Sequence, residues 1–242
     1  MIKTLALIKR RPDLDRAEFR NHYETSHAPL ALPHMKGLMR YVRYHIEEDL
    51  LGDVGEVDFD VLSAFWYRDA ESIAAMMEVL AGEAGKPILA DELKFMDKPA
   101  NVFFPVSESW LQNGEEGESQ IFILVAKPET VSRYDCAVRL LRELFPELLE
   151  GFESVEFALV RDAFPLDPAD PADPSDSGND GNRGENSEAV RAKSLPWNAV
   201  LQVRAQDYAG LEEWAGRAVE EGYRVVAVRA RRFETTDLPI AD

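Results

Sequence analysis

Cysteine is almost absent. Cys136 is the single one in 242 residues, which excludes an intrachain disulfide framework and fits a reducing compartment. Cations are also short, at 27 Lys and Arg against 45 Asp and Glu, a net charge of -18. That balance excludes the cationic footprint that nucleic acids and anionic membranes require of a partner. No apolar run approaches the roughly 20 residues of a membrane span. Met1-Ile2-Lys3-Thr4-Leu5 runs directly into a strand pattern, without the apolar core and cleavage site of a signal peptide. The expectation is a soluble cytoplasmic protein. A phosphate-cradling glycine loop and a Gly-x-Ser-x-Gly elbow are both missing, so nucleotide and serine-hydrolase chemistry are not expected. Histidine is scarce and uneven: residues 22, 27, 34 and 45 are the only four. Their successive spacings of five, seven and eleven put no pair at i, i+4 on a helix, so no metal and no cofactor is expected.

What is present is an ordinary globular composition, 45% hydrophobic and 30% charged, in a chain long enough for one large domain or two small ones. The richest stretch runs from Lys9 to Ala31. It leaves an apolar strand (2–9) through a basic turn with Pro12 and enters a helix (15–27). Asp15 is its natural N-cap, with Glu18 three residues later as the capping-box acid. Ala28-Pro29 should end this helix, because the residue before proline disfavours helical geometry. His27 would then sit at a helix C-terminus, where the macrodipole favours a cation. The pattern continues as strand 37–46, strand 58–67, a helix over 69–82 capped by Asp69, and strand 93–105, with Gly85-Lys86-Pro87 reading as a helix stop.

The second half repeats this order with other residues: strand 121–126, helix 132–149, strand 155–160, strand 198–203, a helix from Asp207 to Val219, and strand 223–233. Between its middle strands, Pro165 to Ala192 is rich in Asp, Pro, Ser, Gly and Asn and reads as a disordered acidic insertion. Each βαββαβ unit leaves one sheet face open. Two fused units can cover each other's, so the expected fold is α+β: two tandem ferredoxin-like units, 1–108 and 119–235, packed sheet to sheet as an intramolecular dimeric α/β barrel. The second unit carries no histidine, so the chemistry is expected in the first, with the second as its wall.

Phe19-x-x-His22-Tyr23 followed by His27-Ala28-Pro29 resembles the EthD family, whose members carry a Lys/Arg-Pro turn, a Phe-x-x-His-Tyr/Trp helix and a His-x-Pro exit. Gly37-Leu38-Met39-Arg40-Tyr41, Asp60 to Tyr67 and Asp91 to Asp97 resemble the strand segments that follow in that family. The likeness covers residues 1–108. It implies the dimeric α/β barrel and a small-molecule substrate, since related barrels include cofactor-free isomerases, dehydratases and cyclases. It also admits a homodimer of pseudo-dimers.

On this reading His27 is the general acid or base, and opposing pushes from helix end and pocket would leave its pKa near neutrality. Tyr41 would donate to a developing oxyanion. Asp60, singled out by the resemblance, would orient His27 or else pair with Arg40 or Arg43. His22 and His45 are candidates for substrate binding, with the cavity between the two sheets. Trp66 is a third; it and Phe65 point to opposite faces, so one lines the pocket. His34 reads as a solvent residue. The activity expected is a cofactor-independent lyase or isomerase, of dehydratase or cyclase type, on a small hydrophobic oxygenated molecule. The alternative is a non-catalytic ligand-binding or accessory protein using the same cavity.

Overall fold

Strand β1 (Ile2–Ile8) lies at the centre of the first half, between β3 (Val61–Tyr67) and β4 (Val102–Gln112), with β2 (Leu38–Asp49) on the far side of β3. The computed structural model describes residues 1–52, 57–112, 117–146, 152–161, 164–165, 197–204, 210–236 and 238. The order β4-β1-β3-β2 is matched in the second half by β9 (Arg224–Thr235), β5 (Ser119–Ala126), β8 (Ala199–Arg204) and β6 (Ser154–Val160), in the order β9-β5-β8-β6. Antiparallel pairing of β2 with β9 and of β4 with β6 joins the two, so eight strands close a ring. A two-residue strand, β7 (Phe164–Pro165), pairs outside the ring with β4. The sheet-to-sheet α/β barrel is therefore closed within one chain, and closure removes the open edges that would otherwise invite pairing.

Alternation along each strand sorts its side chains between two covered faces. Leu5 and Leu7 of β1, Leu62, Ala64 and Trp66 of β3, and Phe122 and Leu124 of β5 fill the barrel interior. Ala6, Ile8, Val61, Phe65 and Tyr67 point outward beneath the helices of the first half. The second half has its own outer core, built on Leu140, Phe145 and Trp214. Both faces of β3 are buried along its whole length, which explains why that strand reads as an almost continuous apolar run.

The helices are α1 (Arg16–His22), α2 (Ala28–Ala31), α3 (Ala70–Ala81), α4 (Lys86–Phe95), α5 (Arg133–Arg139) and α6 (Leu211–Glu220). Asp15 caps α1 through the full reciprocal capping box with Glu18, as the sequence predicts. The exit from α1 differs. One π-helical turn, Tyr23–His27, follows α1, and the chain continues through α2 into a 3-10 turn, Leu32–His34. The wider i→i−5 closure, seen in Ala28 N–H bonding the Tyr23 carbonyl, lets Pro29 start a new helical turn instead of breaking the old one. His27 is thus mid-path, not at a helix C-terminus. The second half has the same device: α5 is followed by a π turn, Leu140–Leu144.

A second departure lies at Gly85-Lys86-Pro87. This segment opens α4, with proline in the first turn where its missing N–H costs nothing. Residues 93–95 accordingly belong to a helix and β4 begins only at Val102. Helix α6 runs from Leu211 with Gly210 at its cap position, and Asp207, the expected cap, lies outside the described residues. Residues 166–192, the core of the acidic insertion, also lie outside them. Among the described residues no helix is long and apolar enough to cross a membrane.

Candidate functional site

Phe19, Tyr23 and His27 follow one another at i, i+4 and all three are buried, so the α1–π segment presses an aromatic stripe onto the outward face of the first half-sheet. Glu24, on the same π turn, reaches down to β2. Its carboxylate accepts from Arg43 Nε and Nη2 at 2.7–3.0 Å and from His45 Nε2 at 2.7 Å. Burial pushes the Glu24 carboxyl up, but the bonds from His45 and Arg43 outweigh it and the net shift is downward. Burial also lowers the pKa of His45 despite Glu24, so its neutral ring is a donor that fixes the π turn to the sheet. His45 stacks edge-on against Phe19, Tyr23 and Phe233 and does not line the cavity.

That cavity, about 250 Å³, lies between the first half-sheet and a helical side made of the π turn, α2, α3 and α4. It is not between the two sheets, where side chains such as Leu62, Trp66 and Phe122 pack in one buried cluster. Its walls are mostly apolar: Ala6, Ile8, Phe65 and Phe103 from the sheet, and Met35, Ile73, Met76 and Leu80 from the helical side. The polar groups on it are few, with His27, Tyr41, Tyr23, Tyr67 and Thr4 among them. Buried Lys98 and half-buried Glu92 form an ion pair of 2.8 Å on the same wall.

His27 Nδ1 lies 3.2 Å from Asp91 Oδ2. A carboxylate can only accept, so the proton sits on Nδ1 and Nε2 is left as an unprotonated nitrogen. Nε2 has no hydrogen-bond partner among the described residues, and the His27 ring lines the cavity. Asp91 also accepts from His22 Nε2 at 3.1–3.2 Å and from Lys94 Nζ at 3.1 Å. Burial pushes the Asp91 carboxyl up, but Lys94 and His22 hold it below its ordinary value, so it is ionised. Burial takes His27 down to about 4 although Asp91 pulls the other way, so the imidazole is neutral at pH 7. His27 has lost the helix-end dipole expected to raise it, because the helical path runs on past it.

On the sheet side Tyr41 stacks on Phe65 at 4.5 Å, with the Arg43 guanidinium 4.4 Å over its ring. Its hydroxyl lies 2.9 Å from that of Tyr23, which lies 3.0 Å from Ser63 Oγ. Three hydroxyl protons share two hydrogen bonds. With the chain running Ser63 to Tyr23 to Tyr41, the Tyr41 proton is free for an oxygen in the cavity. Burial raises the pKa of both tyrosines, keeping them neutral donors.

The structure thus brings His27 and Tyr41 to one cavity. It places the other candidates elsewhere. Asp60 accepts from the Arg10 backbone N–H at 3.0 Å, from Arg10 Nε at 3.1 Å and from Arg16 Nε at 3.3 Å, so it pairs with neither His27, Arg40 nor Arg43. The second half repeats the arrangement: Asn198 accepts from the Lys127 backbone N–H at 2.9 Å, and both residues bond the neighbouring strands through their own backbone groups. A device shared with the half that has no histidine belongs to the fold. Trp66 lies in the barrel interior with the Lys3 and Arg40 cations over its ring, and Phe65 is the aromatic on the cavity. His22 sits on the outer side of Asp91, half-buried against Phe95. His34 lines the cavity.

Asp91, which the sequence reading places at a strand entry, is instead a helical residue and the partner of His27. The signal was there: with Pro87 in a first turn, Ile88, Asp91 and Phe95 fall on one helical stripe, and an acid on a buried stripe requires a partner.

A closed antiparallel ring of two four-stranded α+β halves, each outer face covered by helices, defines a dimeric α/β-barrel protein in a single chain. Residues 11–99 match the EthD domain model, so the chain carries an EthD domain over that span. No curated protein matches it in sequence. Among solved structures it is similar over all of its length to an anthrone oxidase-like protein, with 96% of that chain covered, 12% identity and a TM-score of 0.57. An ethyl tert-butyl ether D (EthD) family protein from Bacillus halodurans C-125 is 25% identical over 48% of this chain and 100% of its own, with a TM-score of 0.33.

Proposed function

We propose that the EthD-domain cavity takes a small, hydrophobic, oxygenated molecule and that His27 moves a proton on the carbon next to its carbonyl. The activity would be of cofactor-independent lyase or isomerase type, as in a dehydratase or cyclase. The observation that carries this reading is the His27–Asp91 pair opening, through an unprotonated Nε2, onto an otherwise apolar cavity. Nε2 takes the proton, Asp91 stabilises the imidazolium that forms, and the Tyr41 hydroxyl donates to the carbonyl oxygen as it gains charge. Apolar walls exclude water, which strengthens both interactions. Residues 1–108 form the working unit of this proposal and supply every residue that lines the cavity; 119–235, expected as its wall, line none of it and close the barrel on the other face of the sheet. The π turn supports that division, since it puts Leu144 where the first half has His27. Pairing of two chains into a homodimer of pseudo-dimers belongs to the same proposal, but the cavity needs no residue from a second chain.

The test is α-deuteration. Small aryl ketones are incubated with the protein in heavy water and the loss of the α-proton signal is followed by NMR. The wild type should accelerate exchange and His27→Ala should lose that acceleration, by about 100-fold or more for a general base. No acceleration by the wild type across such a set, with the ketones shown to bind, would leave the cavity as a binding site and favour the ligand-binding alternative.

A further inference from the structure

Thr4 Oγ1 and the Tyr67 hydroxyl are buried side-chain polar atoms with no hydrogen-bond partner. Both residues line the cavity, and both are buried, at 1% and 0% exposure. Such groups are rare in folded proteins, because an unpaired buried hydroxyl forfeits its bonds to water without replacement. Their neighbours make the contrast plain: Ser63, Tyr23 and Tyr41 satisfy one another on the same face of the sheet. Thr4 stands opposite Phe65 in the β1–β3 register, and Tyr67 is two residues further along β3, on the same face. The two residues are therefore diagonal neighbours on adjacent strands, a separation that long side chains can bridge. Burial raises the Tyr67 pKa, so its hydroxyl is a neutral donor.

We infer that Thr4 and Tyr67 form a second oxygen subsite, which takes a carbonyl-type acceptor at the end of the ligand away from its reacting carbonyl. The ligand class is then narrower than an oxygenated hydrophobe: a small, flat, apolar molecule carrying two acceptor oxygens. One lies at His27 and Tyr41 and the other between Thr4 and Tyr67. This inference rests on the proposed function only for what happens at the first oxygen.

Two probes of the same shape separate the possibilities. 1,4-Diacetylbenzene has two carbonyls, and 4-isopropylacetophenone replaces the second with an apolar group. Binding to the full chain is measured by calorimetry or ligand-observed NMR. The wild type should prefer 1,4-diacetylbenzene by about tenfold or more, the weight of one or two hydrogen bonds. Thr4→Val and Tyr67→Phe keep the side-chain shape, and each should weaken that probe several-fold while leaving 4-isopropylacetophenone unchanged. Neither substitution removes a satisfied bond, so the melting temperature should hold or rise in both. Equal affinity for the two probes, including no binding of either, or an equal loss of both in the variants, would overturn the subsite. His27→Ala should keep the probe preference while losing α-deuteration. A wild type that shows the preference without deuteration would retain the subsite and remove the proton-transfer reading.

Discussion

Replacing His27 by Leu, the residue at the matching place in the second π turn, should remove a specific pH dependence of stability. The His27 imidazole has an ordinary pKa of 6.5 and one of about 4 in the folded protein, with burial as the leading cause. Between those values the unfolded chain binds more protons than the folded one, so stability rises with pH. His27 therefore contributes nothing unfavourable above pH 7 and an increasing penalty as pH falls towards 4. The gap between the two pKa values, at about 1.4 kcal/mol per unit, comes to about 3 kcal/mol. The ring is buried, so solvent screening does little to reduce that figure. Urea unfolding of wild type and His27→Leu at a series of pH values isolates the effect, because acid-sensitive groups that do not touch the ring, such as Glu24, are common to both, and Asp91 keeps Lys94 and His22, the larger causes of its lowered pKa. The wild type should lose about 3 kcal/mol relative to the variant between pH 7 and pH 4, and an NMR titration should place the His27 midpoint near 4. A flat difference curve, or one in which the wild type gains on acidification, would mean that the ring is charged in the folded state and refute the reasoning.

Other expectations can be checked on the same material. Asp60→Ala should cost about 1–3 kcal/mol in urea unfolding, since it strips the acceptor from the Arg10 N–H, while the α-deuteration rate stays within a few-fold of wild type. Asp91→Asn removes the charge that holds Nδ1–H and stabilises the imidazolium, so deuteration should fall by about 10- to 100-fold with the ketone affinity little changed. Lys3→Met leaves the Glu108 and Glu156 carboxylates of the barrel interior without their shared cation, and should destabilise by about 3–5 kcal/mol at pH 7 and less at pH 4.

The strands were legible because their apolar residues alternate and recur in the same order in both halves. Which face each side chain takes was not legible, because both faces of a strand such as β3 are covered, one by the barrel interior and the other by helices. That is why Trp66 could be mistaken for Phe65 and the cavity assigned to the space between the sheets. Two prolines misled for a shared reason. Pro29 and Pro87 each begin a helical turn here, and a proline that starts one reads locally like a proline that stops one. The first error put His27 at a dipole it does not meet. The second hid α4 and with it Asp91. His27 and Tyr41 were legible as candidates from residue type and periodicity. Their partners were not, since Asp91 is 64 positions from His27 and only the packing of α4 on the π turn brings them together.

The central claim is that the working cavity lies under the helices of the first half and not inside the barrel. A crystal structure of the wild-type protein with 1,4-diacetylbenzene tests it most directly. The account predicts the ligand between β1, β3 and the π turn with α2–α4, one carbonyl within hydrogen-bond reach of Tyr41 and its adjacent methyl beside His27 Nε2. The other carbonyl should lie between Thr4 and Tyr67. Ligand seated inside the barrel beside Trp66, or on the outer face of the second half, would contradict it.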